Sequence, residues 1–566
     1  MKIKGIVAAP GLAVGPVFEL SAPPVHVLHE TVAAAAVDDE RARAREAMAR
    51  YYETLRLCEP MTEIERALLN ATMELLNDPY LEDAIVSRIR DLHYCAEWAI
   101  EAAIEAMARE IQALDDPYLS ARSVDFEDLA HGILMHLNGA DQSSFELSEP
   151  SIIVAEMLNT SSLVMIDTSQ VLGFISEKGG ISSHAAILAQ TLGIPYLIGV
   201  PYPHEFIHTG ECIVLDADAG EVDVQPTVEE IAAARRNIAT KRAKEAQWDA
   251  QRDEQALSLD GRRIAVEANI GGLDDLEFAK ERGAEGVGLF RTEFFFMAQE
   301  DYPDEETQFA LYRAAVQEMG GPLVVRTLDV GADKALPYDP LEAEENPALG
   351  RRGIRFSLDV TGPFRSQLRA LLRAAALGDV KILLPMVSAL EELERVQQMI
   401  AAEKDALRSA GTAVGDVEVG VMIETPAAVF LADALAEHCD FFSIGTNDLT
   451  QYIIAADRTN AKVQHLFHSF HPAVLRAIDA VIQSAHHCGI PCAMCGALAA
   501  DPLATRLLIG MGLDAFSVPG AQIPRIKDVI RQCDVREEQA FAREVLAKSR
   551  LDEGLDLIRE HEGRWT

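Results

Sequence analysis

The sequence from Gly179 to Gly193, Gly-Gly-Ile-Ser-Ser-His-Ala-Ala-Ile-Leu-Ala-Gln-Thr-Leu-Gly, predicts a loop that leads into one short helix. Its leading glycines favour a tight turn, either serine can cap the helix, and the last glycine can end it. His184 therefore stands at the helix start, where unpaired N–H groups and the helix dipole favour a negative charge. Its imidazole can act as a nucleophile that carries a phosphoryl group, or it can be a capping or core histidine.

Strand-like and helical segments surround this loop. Runs of valine and isoleucine predict strands at 3–19, 151–155, 171–175 and 213–216. Between the first two, the spacing of apolar residues predicts helices at about 31–57, 62–77, 81–113 and 123–138. We therefore predict an α/β domain formed by residues 1–22 and 145–225, with an α-helical bundle at 23–144 inserted into it. We expect the bundle to be a docking surface for a basic partner, because acidic residues lie along two of its helices: Glu63, Glu65, Glu74, Asp78 and Glu82.

Residues 226–258 are predicted to form a helical linker. The stretch 227–256 is rich in alanine and charged residues and contains neither glycine nor proline. A helix of that length spans about 40 Å at about 1.5 Å per residue. We expect it to connect the first domain to a second one.

The rest of the chain, 259–566, alternates short apolar strands with helical stretches. The predicted strands are Ile264–Ile270, Gly286–Arg291, Leu323–Leu328, Ile382–Val387, Val419–Glu424, Phe441–Thr446, Pro491–Gly496 and Ala515–Gly520. Eight strands with intervening helices predict a (β/α)₈ TIM barrel, whose active site lies at the carboxyl ends of the strands.

Composition narrows the class of partner. The 566 residues carry a net charge of −40, which argues against binding to nucleic acid or to an anionic membrane. The same charge can steer a basic partner, or it can simply keep the surface solvated. Eight scattered cysteines, an amino terminus broken by Pro10, and the lack of a long apolar run lead us to expect a cytoplasmic protein.

Charged side chains collect at the predicted strand ends. Glu424 and Asp448 follow consecutive strands, which lie about 4.8 Å apart in a sheet, so the two carboxylates can bracket one Mg²⁺. Arg291, Arg326 and Arg458 can clamp a phosphate, because the planar guanidinium suits bidentate recognition. Each arginine alone could equally form a surface ion pair.

Cys495 ends the seventh predicted strand. Its thiol can protonate a carbon atom in the site, or it can be an ordinary buried cysteine. A zinc site is rejected for the nearby group of His486, His487, Cys488, Cys492 and Cys495. There is no second Cys-x-x-Cys pair, and Cys492 and Cys495 point to opposite faces of a strand.

Four motifs carry a resemblance to a known family. They are Gly288-Leu-Phe-Arg-Thr-Glu293, Glu345-Asn-Pro-Ala-Leu-Gly-Arg-Arg352, Ser443-Ile-Gly-Thr-Asn-Asp-Leu-Thr-Gln-Tyr-Ile-Ile-Ala-Ala-Asp-Arg458 and Met494-Cys-Gly496. With the loop before His184, they closely resemble enzyme I of the bacterial phosphotransferase system, a family of phosphoenolpyruvate-utilising (PEP-utilising) enzymes. The resemblance covers essentially the whole chain.

The resemblance implies a function. His184 would take a phosphoryl group from PEP with Mg²⁺, release pyruvate and pass the group to the histidine of the carrier protein HPr, which drives sugar uptake. It further implies a swivelling domain around His184, docking of HPr on the bundle at 23–144, a homodimer joined through the barrels, and Cys495 as the proton donor to the enolpyruvate. The implied PEP-binding residues are Arg291, Arg326, Asn447, Asp448 and Arg458, and the implied Mg²⁺ ligands are Glu424 and Asp448.

The chain departs from the family pattern at three positions. Gln190 stands where the motif usually has arginine, Ala497 where it commonly has glutamate, and Glu127 lies in a segment that usually carries an arginine. One alternative is therefore a PEP-sensing or nitrogen-type regulatory paralogue with a dedicated HPr-like partner. Pyruvate phosphate dikinase and phosphoenolpyruvate synthase share the histidine motif and the barrel, but they need a nucleotide-binding domain, for which we find no room.

Overall fold

The computed structural model describes the chain except for residues 21–26, 58–69, 71, 113–122, 139–146, 148, 159–165, 181–182, 202–205, 332–335, 337, 340–343, 459, 461 and 565–566. It divides into two compact units, Met1–Ala243 and Lys244–Thr566. Across the described part of the chain, no helix is both long and apolar enough to cross a membrane.

The first unit contains an eight-stranded mixed sheet. Its strands are β1 (Lys2–Lys4), β2 (Ile6–Ala9), β3 (Leu12–Leu20), β4 (Ser151–Ala155), β5 (Val171–Ser176), β6 (Tyr196–Ile198), β7 (Cys212–Asp216) and β8 (Glu221–Asp223). They lie in the order β1-β8-β7-β3-β4-β5-β6-β2, and the run from β3 to β6 is parallel. Apolar side chains cover both faces of the sheet in two clusters, and each cluster combines chain segments from before and after the bundle.

The helical bundle lies between β3 and β4 in the sequence. Its described helices are α1 (Val37–Leu57), α2 (Pro79–Leu92), α3 (Ala96–Gln112) and α4 (Ser123–Leu137). The single helix predicted at 81–113 is wrong, because His93 adopts a left-handed conformation (φ 58°) that ends α2. The helix predicted to begin near 31 begins at Val37, since Thr31 pairs with Tyr94 instead. The helix predicted at 62–77 lies largely outside the described residues.

The predicted linker helix is α6 (Val228–Ala250), which ends eight residues before the predicted end of the linker at 258. Its last residues belong to the second unit, where Trp248 Nε1 donates to Asp528 Oδ2 at 2.9 Å. The chain then turns, and Lys527 Nζ donates to the Arg252 carbonyl at 2.9 Å. The precise boundaries of the four predicted segments stay predictions.

The second unit is a closed barrel of eight parallel strands, which confirms the predicted fold. The strands are β9 (Ala265–Ile270), β10 (Val287–Arg291), β11 (Leu323–Arg326), β12 (Val380–Leu384), β13 (Glu418–Ile423), β14 (Phe441–Ile444), β15 (Cys492–Met494) and β16 (Ala515–Val518). The strands β9 and β10 end where predicted, and the other six end one to three residues earlier than predicted.

Helices cover the barrel, and buried aliphatic side chains fill the space between them and the strands. The described helices of this unit after α6 are α7 (Leu273–Glu281), α8 (Glu293–Met297), α9 (Glu305–Met319), α10 (Ile354–Asp359), α11 (Thr361–Ala374), α12 (Leu390–Ser409), α13 (Pro426–Phe430), α14 (Ala432–Ala436), α15 (Thr446–Ile454), α16 (Pro472–Cys488), α17 (Thr505–Met511), α18 (Ile523–Arg531), α19 (Val535–Leu546) and α20 (Leu551–Glu562).

Candidate active site

The helix predicted after the glycine loop is α5, which begins at His184 and ends at Leu192. Ser183 is the capping serine, and its Oγ accepts from the Ala186 N–H at 3.3 Å. Gly193 ends the helix in a left-handed conformation (φ 66°). Backbone N–H groups of the first turn therefore surround position 184, although the His184 side chain lies outside the described atoms.

Gln190 has a structural role at the position where a basic residue is expected. Its Nε2 donates to the Ala8 carbonyl at 2.6 Å and ties α5 to the end of β2. The core-facing side of α5 consists of Ala185, Ala186, Leu188 and Ala189, whereas Ile187 is exposed.

The predicted barrel residues lie at the carboxyl ends of the strands. Arg291 and Arg326 are cross-strand neighbours at the ends of β10 and β11. Arg326 is buried, whereas Arg291 is exposed and lies over the Phe294 ring at 5.2 Å. Asn447 and Asp448 lie in the first turn of α15, just after β14. The structure thus brings both arginines and the Asn447-Asp448 pair to one rim.

Carboxylates hold Arg326 in place. Its guanidinium contacts Glu293 Oε1 at 2.9 Å and Asp329 Oδ2 at 3.3 Å, and both carboxylates are buried. Burial lowers the pKa of Arg326, but the two carboxylates outweigh this effect and raise the pKa above its ordinary value. Arg326 is therefore a fixed positive charge inside the rim.

Arg352 is a residue of the site that the sequence reasoning missed. It is buried and makes a two-point contact with Asp329, Nη2 to Oδ2 at 2.9 Å and Nε to Oδ1 at 3.3 Å. Its Nη1 lies 3.4 Å from Asp448 Oδ1. Arg458, which was predicted, lies 3.9 Å from the same oxygen. The sequence signal that could have identified Arg352 is the Arg351-Arg352 pair at the end of the motif Glu345–Arg352.

Glu424 is almost fully buried just after β13. Its Oε1 accepts from the Met386 N–H at 2.7 Å, and Met386 has the unusual positive φ of 59° that presents this group. Burial, and then the nearby charges of Asp448 and Asp329, raise the pKa of Glu424 to about 8. The carboxylates predicted as Mg²⁺ ligands are therefore close enough to repel each other.

The pair fits a hard cation. Both residues supply oxygen donors, both are buried, and a bound cation would relieve the repulsion that raises the pKa of Glu424. Within the described ranges, no three histidine, cysteine or acidic side chains form a complete metal cluster. Water and substrate oxygens would have to fill the remaining positions, as is usual for Mg²⁺.

Cys495 lies immediately after β15 and is buried among apolar side chains. Its Sγ donates to the Ile444 carbonyl at 3.7 Å. Burial raises the pKa of the Cys495 thiol to about 11, and Glu424 adds to the shift while Arg326 opposes it. The sulfur therefore keeps its proton at neutral pH, as an acid in catalysis must.

The backbone after Cys495 is tied to the rest of the rim. The Ala497 N–H donates to Asn447 Oδ1 at 3.0 Å, and Asn269 Nδ2 donates to the Cys495 carbonyl at 3.1 Å. The departure at 497 leaves the first of these contacts in place, because it uses the backbone. Cys492, on the same strand, packs in a separate apolar cluster between strands and helices.

Three family models match the chain. They are described as the PEP-utilising enzyme N-terminal region at residues 4–122, the mobile domain at 147–220 and the PEP-binding domain at 245–535.

Curated relatives match at nearly full length. Phosphoenolpyruvate-protein phosphotransferase from Bacillus sp. (strain S) is 37% identical over 98% of this chain and 97% of its own. The protein of the same name from Priestia megaterium is 36% identical, covering 99% and 98%, and that from Lactococcus lactis is 37% identical, covering 99% of each. Among solved structures, an NMR structure described as Enzyme I (nEIt) aligns with 42% of this chain and 99% of its own at 26% identity, with a TM-score of 0.38.

The barrel has a charged rim, and the residues before it match the mobile domain of PEP-utilising enzymes. Together these two features define the protein as a PEP-utilising enzyme. The chain belongs, within that class, to the phosphoenolpyruvate-protein phosphotransferases. The predicted family and the predicted enzyme class are confirmed.

Proposed function

We propose that this protein transfers the phosphoryl group of PEP to His184, releases pyruvate, and then passes the group to a histidine of an HPr-like carrier protein. The observation that carries the proposal is the rim where Arg326, Arg352, Glu424, Asp448 and the protonated thiol of Cys495 converge. These groups can bind an anionic phosphate, hold a divalent cation and protonate a carbon atom.

The arginines bind the substrate. Arg326 stays charged and is held from behind by two carboxylates, so it can bind phosphate oxygens without first being reoriented. Arg291 and Arg458 add charge from the more exposed part of the rim. Glu424 and Asp448 would hold Mg²⁺, which would offset the negative charge on the transferring group and on the departing enolate oxygen.

The chemical balance is simple. A nitrogen of the neutral His184 imidazole attacks phosphorus, the bond from phosphorus to the enol oxygen breaks, and the enolate takes that electron pair. The methylene carbon of the enolate then accepts the proton of the Cys495 thiol, which gives pyruvate. The resulting thiolate regains a proton from solvent. At the start of α5, backbone N–H groups are available to stabilise the phosphohistidine.

Several parts of the proposal rest on the family alone. These are the HPr acceptor, dimerisation through the barrels, a cytoplasmic location and a role in sugar uptake. No observation favours the PEP-sensing or nitrogen-type alternative. The match along 97–99% of the relatives' length also gives no support to the two nucleotide-dependent alternatives.

The test uses PEP labelled with ³²P in its phosphoryl group, with and without Mg²⁺. We expect label on the protein that is lost in acid and stable in base, and one pyruvate released for each phosphoryl group retained. Addition of an HPr-like protein should move the label to that protein. Label without pyruvate, or pyruvate without label, would contradict the proposal.

A further inference from the structure

Arg352 is placed between two buried carboxylates. On one side Asp329 makes a two-point contact at 2.9 and 3.3 Å, and on the other Asp448 lies 3.4 Å away. All three side chains are at most 10% exposed. The guanidinium therefore contacts both carboxylates, and its contact with Asp329 is the closer one.

The contact with Asp448 matters because Asp448 is one of the two candidate metal ligands. A carboxylate that is fully paired with an arginine is a poor ligand, since the arginine neutralises the charge that would attract the cation. In a buried site this competition is strong, because neither charge has water as an alternative partner.

We propose that Asp329 is a positioning residue that holds Arg352 away from Asp448 and thereby keeps Asp448 available to a divalent cation. The proposal deepens, and rests on, the proposed function, since it concerns the same site. It also assigns a different role to Glu293, which contacts Arg326 and the Asp329 N–H. We expect Glu293 to orient Arg326 for the substrate and to leave the affinity for the cation unchanged.

The test measures Mn²⁺ binding to the full-length protein by electron paramagnetic resonance, with no substrate present. In Asp329→Asn, Arg352 loses the closer of its two carboxylate partners and should close on Asp448. We expect Mn²⁺ to bind about tenfold more weakly, in the range found when residues that support a metal ligand are changed. In Glu293→Gln the affinity should stay within about twofold of wild type, while the KM for PEP rises.

Glu538→Gln is the matched control, because it also removes the negative charge that pairs with a buried arginine. Glu538 is 1% exposed and pairs with the buried Arg506 at 3.0 Å, in α19 and α17 on the outside of the barrel. It should lose thermal stability to a similar extent as Asp329→Asn, with unchanged Mn²⁺ affinity. An equal loss of Mn²⁺ affinity in this control would overturn the proposal.

A double variant separates competition from general damage. If Arg352 competes for Asp448, then Asp329→Asn combined with Arg352→Met should recover most of the lost Mn²⁺ affinity, because the competing charge is gone. If the double variant binds Mn²⁺ as weakly as the single one, or if Asp329→Asn binds it normally, the proposal is wrong. Neither result depends on turnover, whereas failure of the labelling assay in wild type would contradict the proposed function itself.

Discussion

The surroundings of His184 and of Glu424 are built in opposite ways. The surroundings of His184 consist of one contiguous stretch, in which the serine cap, the N–H groups of the first turn and the terminal glycine all lie within about ten residues. The barrel rim draws residues from loops after β10, β11, β13, β14 and β15, and four of its charged side chains are buried: Arg326, Arg352, Glu424 and Asp448. A carrier histidine needs little more than a helix start, whereas stabilising a transferring phosphoryl group needs charges fixed in advance.

The largest effect is expected where one side chain has no substitute. His184→Ala should reduce incorporation of ³²P to background while the melting temperature stays unchanged, because the substitution removes the nucleophile and little packing. His208→Ala, which removes an exposed histidine elsewhere in the same unit, is the control. Intact-protein mass spectrometry gives the readout. Phosphorylation of the His184→Ala protein would show that the carrier is elsewhere.

Loss of either metal-ligand candidate should come next. Glu424→Ala and Asp448→Ala should each lower pyruvate release by about 100-fold or more, since one carboxylate is insufficient to hold the cation beside the phosphate. Glu403→Ala is the control, because Glu403 is also a buried carboxylate of the barrel that pairs with arginines. Activity in either ligand variant that stays near wild type, and stays dependent on Mg²⁺, would place the cation elsewhere.

Cys495→Ala tests whether the rim supplies a proton. We expect pyruvate formation to fall by roughly 100-fold or more, with PEP affinity changed only a few-fold, because the thiol acts on the enolate after phosphoryl transfer. Cys492→Ala removes a buried thiol from the same strand on its other side. If binding and pyruvate formation fall together in Cys495→Ala, the thiol has a packing role.

A smaller, salt-dependent effect is expected in the bundle of the first unit. Of the acidic residues predicted along two helices, Glu74, Asp78 and Glu82 are described, and Glu63 and Glu65 lie outside the described residues. Glu82 pairs with Arg45 at 2.6 Å, so its negative charge contributes less to attracting a basic partner. Glu74→Lys should slow transfer to a basic HPr-like acceptor a few-fold at low salt, and the difference should vanish once the Debye length falls below about 10 Å.

The acceptor prediction has its own control. Transfer to HPr-like proteins of the same organism should be compared with transfer to an unrelated HPr across the same salt series. Equal rates for all acceptors, independent of salt, would contradict both electrostatic steering and a dedicated partner.

The smallest effect concerns the stability of the barrel unit. Burial raises the pKa of Glu562 to about 7, against the opposing effect of Arg506, which lies 3.5 Å away. Between pH 4.5 and about 7 the folded protein keeps a proton that the unfolded chain has released, so stability is lost as the pH rises through that window. Glu562→Gln should flatten this slope and raise the melting temperature at pH 8 relative to wild type, with less gain at pH 5.

Glu560→Gln, at an exposed position on the same helix, should leave the slope unchanged. Heat denaturation of the three proteins at several pH values gives the comparison. An unchanged slope in Glu562→Gln would mean that this carboxyl titrates normally in the folded protein.

Local patterns determined the parts of this protein that depend on neighbouring residues. The turn, cap and end of α5 were predictable because each uses contacts within four residues, and the eight barrel strands were predictable because each is a short apolar run between polar breaks. The break at His93 was missed, since a left-handed residue other than glycine leaves little trace in the pattern of apolar residues.

Only the tertiary structure determined which charged groups of the rim contact each other. Asp329 and Arg352 follow β11 and Asp448 follows β14, and barrel closure brings Arg352 to 2.9 Å from Asp329 and 3.4 Å from Asp448. The same closure buries Glu424 beside Asp448 and Cys495 beside apolar side chains, which shifts both pKa values. Sequence motifs identified most of these residues as candidates. Which charge pairs with which depends on distances that a one-dimensional pattern does not contain.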